Sequence, residues 1–213
     1  MRYTAITKTM YRQLVNLYPL VIPRLYVWLR LKILPLDQLE KYLPKTGSIL
    51  DVGCGYGFST IYFAHQSPRR LVKGIELNAS RVKIAKAASV NIKNVSFQAD
   101  NLASLQQQKY QTVILIDLLH HLSASEKSKL LFQSHQLLHA KGQLIVKDIN
   151  KAPLLKYLWN YFHDSIMTKF GRLEFLSSTE MIALLTSCGF NVTNHYPINN
   201  FLYPHYLYVC SKS

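Results

Sequence analysis

The sequence is short of acidic residues, with 11 Asp and Glu against 25 Lys and Arg in 213 residues and a formal net charge of +14 at pH 7. This balance favours an anionic partner such as nucleic acid, a membrane surface or an acidic small molecule. Cysteine is also scarce, with 3 widely separated residues and no Cys-x-x-Cys pair. That spacing argues against a disulfide framework or a zinc finger. We therefore expect a cytoplasmic protein without a metal site.

Long uninterrupted hydrophobic runs are missing as well. The most apolar stretch, residues 14–36, is broken by Pro19, Pro23, Arg24, Arg30 and Lys32, whereas a membrane-spanning helix needs about 18–20 mostly uncharged residues. The pattern of a signal peptide is not present either. With 49% hydrophobic residues, the chain can instead bury the core of one large domain.

The first 36 residues combine basic and aromatic side chains and contain no acid. Two interpretations stay open and are compatible with each other. The segment forms a helical cap over an active site, or it forms an interfacial helix on anionic lipid, peripheral to the inner face of a membrane. The basic residues are Arg2, Lys8, Arg12, Arg24, Arg30 and Lys32, and the aromatic residues are Tyr3, Tyr11, Tyr18, Tyr26 and Trp28.

From residue 47 onward, short apolar runs alternate with amphipathic stretches. This alternation predicts right-handed βαβ units, and hence an α/β fold with a Rossmann-like, doubly wound, seven-stranded and mostly parallel sheet. We expect residues 1–46 to form an N-terminal helical extension and residues 47–213 to form the main domain. Strands are predicted at Ser48–Gly53, Leu71–Glu76, Val95–Ala99, Thr112–Asp117, Gln143–Lys147, Phe190–Tyr196 and Tyr206–Cys210. Helices are predicted at Phe58–His65, Ala79–Val90, Glu126–His139 (ended by Lys141-Gly142), Leu154–Thr168 and Thr179–Cys188.

Four of the scarce acids fall at or just past the carboxyl ends of consecutive predicted strands: Asp51, Glu76, Asp100 and Asp117. In an open α/β sheet this edge binds ligands, near the point where the strand order reverses. Carboxylates at that edge suit a ligand with cationic or hydroxyl groups, because hydrogen bonds to ionised groups are the stronger ones. Helix capping is the alternative role for any single one of them.

The glycine-rich turn that follows the first strand distinguishes between nucleotide ligands. It has the pattern Asp-x-Gly-x-Gly-x-Gly from Asp51 to Gly57, and bulky Phe58 stands where a dinucleotide fingerprint has its third small residue. Asp51 would also repel a pyrophosphate. The phosphate-binding pattern G-x-x-x-x-G-K-[ST] is absent from the sequence. These features favour a nucleoside ligand that carries no phosphate.

The motifs together resemble the class I S-adenosylmethionine-dependent methyltransferases. ILDVGCGYG is similar to the signature loop of that family, and GIELN, FQAD, LIDLLHHL and HAKGQLIVKD follow in the family's order from Ser48 to Asp148. The resemblance implies S-adenosyl-L-methionine as the cofactor. It implies as cofactor-binding residues Asp51, Gly53, Cys54, Gly55, Gly57, Glu76, Leu77, Asp100, Asn101 and Asp117.

The same resemblance implies a role for each part of this set. The glycine loop lies against the methionine part of the cofactor. Glu76 takes the ribose hydroxyls, and it follows Gly57 by 19 residues, near the roughly 20 expected for an acid that binds ribose. Asp100 accepts from the adenine amino group, and Asp117 lies next to the cofactor's amino group and reactive methyl.

Methyl transfer is an in-line displacement, so the enzyme mainly has to hold the acceptor atom about 3–3.5 Å from the methyl group. A hydroxyl acceptor also needs a base, and histidine has a suitable ordinary pKa near 6.5. The candidates are His120, His121 and His163. Neighbouring histidines at a helix start point about 100° apart, so at most one of the first two faces the substrate. Both could equally be polar residues without a catalytic role.

We expect O-methylation of a small-molecule or lipid-like acceptor, which the aromatic residues between 150 and 177 would suit. An RNA methyltransferase is the alternative, since the charge of +14 favours phosphate contacts. Nucleic acid is less favoured, because no RNA-binding module is recognisable and the basic residues are widely spread. A non-catalytic scaffold with the same fold is the third reading, against which the intact acidic set argues.

Overall fold

A computed structural model of the protein describes residues 8–105, 107–151, 173–199 and 204–213. The described strands form one seven-stranded sheet in the order β3-β2-β1-β4-β5-β7-β6, which confirms the predicted α/β fold. The helices are α1 Lys8–Asn16, α2 Val21–Ile33, α3 Leu36–Glu40, α4 Phe58–Gln66, α5 Ala79–Ala88, α6 Ala124–Leu137 and α7 Ser178–Ser187, with short 3₁₀ helices at Leu102–Leu105 and Leu119–His121. The strands are β1 Gly47–Val52, β2 Arg70–Glu76, β3 Val95–Ala99, β4 Tyr110–Ile116, β5 Leu138–Ile149, β6 Phe190–Asn199 and β7 Pro204–Lys212.

The chain consists of two compact units, an N-terminal unit that ends at Ser104 and a C-terminal unit that begins at Leu105. The N-terminal unit holds helices α1 to α5 and strands β1 to β3, and the C-terminal unit holds helices α6 and α7 and strands β4 to β7. The domain boundary between residues 46 and 47 stays a prediction.

In the N-terminal unit, β1 pairs in parallel with β2, up to Val52 opposite Ile75. Strand β2 pairs in parallel with β3, up to Glu76 opposite Ala99. Because these strands run in the same direction, their carboxyl ends lie at one edge of the sheet. Helix α4 is buried along its first seven residues, which are apolar except for Ser59 and Thr60.

The predicted N-terminal helical extension is confirmed as helices α1 to α3. Helix α3 is fixed to the start of β2 by Arg70, whose side chain is fully buried and donates to both carboxylate oxygens of Glu40 at 2.7 and 2.8 Å. The same guanidinium also donates to the carbonyls of Pro44, Phe63 and Leu43. A buried charge with so many partners holds the extension firmly to the sheet.

The C-terminal unit contains both pairing directions. Strand β4 is parallel to β5, whereas β7 is antiparallel to both β5 and β6. Helices α6 and α7 each begin with a capping box, Ser123 with Glu126 and Ser177 with Glu180, and both patterns satisfy backbone N–H groups of the first turn.

The prediction that Lys141-Gly142 ends a helix is wrong. Helix α6 ends at Leu137, and β5 begins at Leu138. Strand β5 pairs Leu138 with Tyr110 and next pairs Gln143 with Thr112, so the intervening residues form a bulge. The glycine therefore belongs to an irregular strand. The predicted helix Leu154–Thr168 lies outside the described residues.

Candidate functional site

The loop between β1 and α4 is a tight turn built on three glycines with left-handed backbone angles. Gly53, Gly55 and Gly57 have φ values of 71°, 56° and 78°, which side chains with a Cβ rarely adopt. The Gly57 N–H donates to the Cys54 carbonyl at 2.8 Å and closes the turn. The N–H groups of Gly53 and Cys54 both donate to the Ile75 carbonyl on β2, so the loop is tied to the neighbouring strand.

The glycines of this loop have different surroundings. A methyl group at residue 57 would lie 2.6 Å from the Phe97 ring and 2.9 Å from the Ala85 Cβ, whereas a methyl group at residue 55 would meet nothing within 4 Å. Gly57 is therefore required for close packing inside the unit. Gly55 borders open space, where a ligand can approach the backbone.

Sequence reasoning missed Gly74 and Phe97 as parts of this packing. A methyl group at Gly74 would also lie 2.6 Å from the Phe97 ring and 2.8 Å from the Cys54 Sγ. A glycine in the middle of a strand often marks such a close approach, and this signal was available in the sequence.

Glu76, at the end of β2, holds the loop through its carboxylate. One oxygen accepts from the Gly55 N–H at 3.1 Å, and the other accepts from the Asn78 N–H at 3.0 Å. The side chain is 12% exposed, and the Arg81 guanidinium lies 4.0 Å away. Each carboxylate oxygen can accept about two hydrogen bonds, so Glu76 can hold the loop and bind hydroxyl groups of a ligand together.

Asp51, one residue before the end of β1, lies below the loop in the core. Its carboxylate accepts from the hydroxyls of Ser59 and Thr60 at 2.8 and 2.7 Å. Burial raises the pKa of Asp51 to about 6, and the two hydroxyls oppose that shift. These contacts fix Asp51 to the first turn of α4, directly after the glycine loop. Its predicted contact with the cofactor stays a prediction.

Cys54 is a neutral thiol inside the unit. Burial raises its pKa, and the nearby carboxylates of Asp51 and Glu76 raise it further. Its backbone N–H is bonded to β2, as described above. The structure thus assigns Cys54 a part in loop packing, and its predicted contact with the cofactor stays a prediction.

Asp100 and Asn101 follow β3 at the same sheet edge. The Asp100 carboxylate accepts from the Asn101 N–H at 2.8 Å, and this bond holds the pKa of Asp100 below its usual value. The Asn101 side chain accepts from the Ala103 N–H at 2.9 Å and so orders the following 3₁₀ turn. Leu77, next to Glu76, is 77% exposed and offers an apolar surface beside the carboxylates.

Residues of the N-terminal extension contact the tip of the glycine loop. The sequence offered a cap over an active site as one interpretation of this segment, but it did not identify these contacts. The buried Tyr18 hydroxyl donates to the Tyr56 carbonyl at 2.9 Å. The ring of Tyr26, on α2, lies edge-on to the Tyr56 ring with centroids 5.2 Å apart. Arg24 donates to the Tyr18 carbonyl at 2.8 Å. Helix α2 is thus directly connected to the loop.

In the C-terminal unit, Asp117 follows β4 with a left-handed φ of 49°, a conformation that Asp tolerates better than most residues. The Lys147 ammonium, which is fully buried, donates to the Asp117 carboxylate. The Asp117 N–H in turn donates to the Lys147 carbonyl at 2.8 Å. Asp117 is therefore part of a buried ion pair, and its predicted contact with the cofactor stays a prediction.

The two adjacent histidines of this unit have different environments. His120 is 3% exposed, its Nδ1 bonds to the Asp148 carboxylate, and its ring stacks on Phe175 with centroids 5.3 Å apart. His121 is exposed, and its ring centroid lies 4.0 Å from that of His120. His120 is a positioned, buried group, and His121 is the one that faces solvent. His163 lies outside the described residues.

Comparison with known proteins identifies the family. A profile of the methyltransferase domain matches residues 29–195, which is more than half of the chain. The chain belongs to this methyltransferase domain family. The predicted class, an S-adenosylmethionine-dependent methyltransferase, is thereby confirmed.

Solved structures agree with the fold. An S-adenosylmethionine-dependent methyltransferase of Methanosarcina mazei is 21% identical, with a TM-score of 0.65 over 82% of this chain and 96% of that one. Magnesium protoporphyrin IX methyltransferase of Synechocystis PCC 6803, solved with bound SAH, is 21% identical, with a TM-score of 0.68 over 98% of this chain and 96% of that one. An O-methyltransferase family protein of Burkholderia thailandensis is 17% identical, with a TM-score of 0.71 over 87% and 57% of the two chains.

One curated relative, an uncharacterised protein of Rickettsia prowazekii, is 28% identical over 102 residues. The match covers 46% of this chain and 41% of the relative. The matched region is therefore less than half of that protein.

The residues of the N-terminal unit fit S-adenosylmethionine. The donor carries a sulfonium, an ammonium, a ribose diol and an adenine amino group, all of which favour carboxylate partners. Glu76 and Asp100 supply carboxylates that are only partly buried, at the ends of neighbouring parallel strands. Gly55 adds a length of backbone that borders open space.

Proposed function

We propose that this chain transfers the methyl group of S-adenosylmethionine to an oxygen atom of a small-molecule or lipid-like acceptor. The observation that carries the proposal is the juxtaposition, within the N-terminal unit, of the Glu76 carboxylate and the open backbone of Gly55, which are joined by a hydrogen bond. When bound, the cofactor supplies an electrophilic methyl group on a sulfonium. The protein's residues bind and orient it.

Each residue has a distinct part in this proposal. Glu76 accepts from the ribose hydroxyls while it keeps its bonds to the loop. Asp100 lies at the sheet edge, and its pKa is held below its usual value. Its carboxylate accepts from the adenine amino group. Leu77 provides apolar contact for the adenine ring, since it is highly exposed beside both acids. Asp51 keeps the loop in place from below.

A hydroxyl acceptor has to lose its proton, and the C-terminal unit offers a group for this step. His121 is exposed and lies against His120, which Asp148 holds in one orientation. A histidine can take a proton near neutral pH. We therefore assign proton removal to His121 and a positioning role to His120. An O-methyltransferase family protein among the structural relatives supports the choice of oxygen.

The acceptor class is tested by incubating the purified protein with S-adenosylmethionine labelled in its methyl group and three sets of acceptors: a total lipid extract, phenolic and carboxylic small molecules, and total RNA. We expect label in one of the first two sets, in a product that mass spectrometry identifies as a methyl ester or a methyl ether. Transfer to RNA alone would contradict it and favour the alternative that the charge of +14 suggests. His121→Gln should slow transfer to a hydroxyl acceptor.

A further inference from the structure

Helix α2 has an outward face that is apolar where a solvent-facing helix normally carries polar residues. Five large side chains on this face have exposed fractions between 43% and 79%. The opposite face is apolar too, and its residues Pro23, Val27 and Leu31 are buried in the N-terminal unit. The α2 outer face consists of Val21, Ile22, Leu25, Trp28 and Leu29, together with the exposed cations Arg24 and Lys32.

Core packing explains the inner face but leaves the outer face unexplained. Single exposed apolar residues are ordinary, whereas a continuous group of this size marks a surface that another molecule covers. The charged residues on this face restrict the chemical character of the molecule that covers it. Arg24 and Lys32 are its charged members, and the sequence contains no acid before Asp37, so the face suits an apolar and negatively charged partner.

We propose that the α2 outer face docks on an anionic lipid bilayer. A bilayer interface offers apolar chains beneath anionic headgroups, so it satisfies both the apolar residues and the cations. Lys32 lies over the Trp28 ring, with its ammonium 3.5 Å from the ring centroid. In this arrangement the charge stays at headgroup level while the ring enters the interface.

A second copy of the chain is a poorer partner for this face. A twofold contact places the same surface of both copies together. Arg24 and Lys32 would then approach identical cations, and like charges across an interface oppose association. None of the helices in the described part of the chain could span a membrane. The contact that we propose lies along the bilayer surface.

Docking would place the bilayer close to the glycine loop. Tyr26, on the same helix, packs against Tyr56 at the tip of the glycine loop. A lipid-like acceptor in the bilayer would therefore be near the loop. This last step rests on the proposed function, whereas docking itself does not.

The test is sedimentation with vesicles of phosphatidylcholine alone and of phosphatidylcholine mixed with phosphatidylglycerol. Two variants are matched, Ile22→Asp on the face and Val90→Asp in the turn after α5, because the two side chains are 79% and 80% exposed and both changes add one negative charge. We expect binding to the mixed vesicles that weakens in high salt. Ile22→Asp should reduce the partition coefficient by at least about tenfold, and Val90→Asp should leave it nearly unchanged.

Trp28 provides a second readout. The chain has 2 tryptophans, so Trp159→Phe leaves Trp28 as the reporter, and its emission should shift to shorter wavelength with the mixed vesicles.

Equal binding of both vesicle types, equal effects of the two Asp variants, or no binding would overturn the proposal. So would a dimer that Ile22→Asp abolishes. Circular dichroism checks the fold, and S-adenosylmethionine binding by Ile22→Asp, which should be unchanged, separates this test from that of the proposed function.

Discussion

The two units place acidic residues at the ends of parallel strands in the same way but use them differently. In the N-terminal unit, Glu76 and Asp100 accept mainly from backbone N–H groups and stay partly exposed. In the C-terminal unit, Asp117 and Asp148 are bonded to the buried side chains of Lys147 and His120.

The difference follows from burial. A carboxylate inside the protein needs a cation or several hydrogen bonds, because it loses its hydration there. A carboxylate that accepts from backbone N–H groups keeps its negative charge and can still attract a cationic ligand. A carboxylate that is paired with a lysine has its charge neutralised. The acids of the N-terminal unit are therefore available to a cationic, hydroxyl-bearing cofactor, and those of the C-terminal unit mainly stabilise their own surroundings. The same position in the sheet does not imply the same role.

The largest effect is expected from breaking the buried pair in the C-terminal unit. Lys147→Met should lower the free energy of unfolding by about 3–5 kcal/mol, because the Asp117 charge is left buried without its ammonium. Urea unfolding measures the change. Lys147→Met combined with Asp117→Asn should recover a large part of the loss, and a double variant as unstable as the single one would show that the pair is not the cause.

A smaller effect should separate the glycines of the N-terminal loop. Gly57→Ala should lower the free energy of unfolding by about 2–4 kcal/mol, through overpacking against Phe97 and the left-handed backbone. Gly55→Ala, which shares the backbone strain but meets open space, should cost about 1–2 kcal/mol and act mainly on cofactor affinity. Thermal unfolding and calorimetry measure both quantities. Equal losses of stability would contradict the packing described for Gly57.

The smallest effect concerns Asp51 and depends on pH. Its pKa is raised to about 6 in the folded protein, against about 3.9 in an unfolded chain. The folded state therefore binds this proton more tightly, so the contribution of Asp51 to stability should be largest below about pH 4 and fall as the pH rises to about 6. Relative to Asp51→Asn, the wild type should lose about 1–3 kcal/mol over this window. Urea unfolding at several pH values tests this, and a difference that stays constant with pH would refute the raised pKa.

Much of the fold and part of the candidate site could be predicted from the sequence. Short apolar runs marked the strands, and the glycine turn with the acids after β2 and β3 marked the sheet edge that the structure shows. The pairings of Asp117 with Lys147 and of His120 with Asp148 could not be predicted, because the partners are 30 and 28 residues apart and meet only through the pairing of β4 with β5. The bulge in β5 was missed because a glycine after a helical pattern also predicts a helix end.

The contacts of Tyr18 and Tyr26 with Tyr56 were hidden for a similar reason. Basic and aromatic residues at helical spacing predict a helix but do not show which loop it touches. Only the folded chain brings the extension against the glycine turn.

We propose that the sheet edge of the N-terminal unit binds S-adenosylmethionine through Glu76. Calorimetry with S-adenosylmethionine tests it most directly on the wild type, on Glu76→Gln, and on Asp37→Asn as a control acid in α3, away from that edge. We expect an affinity loss of about 10- to 100-fold for Glu76→Gln, since hydrogen bonds to a charged group contribute about 1.5–3 kcal/mol. Asp37→Asn should bind with wild-type affinity. Undiminished binding by a folded Glu76→Gln protein would contradict it.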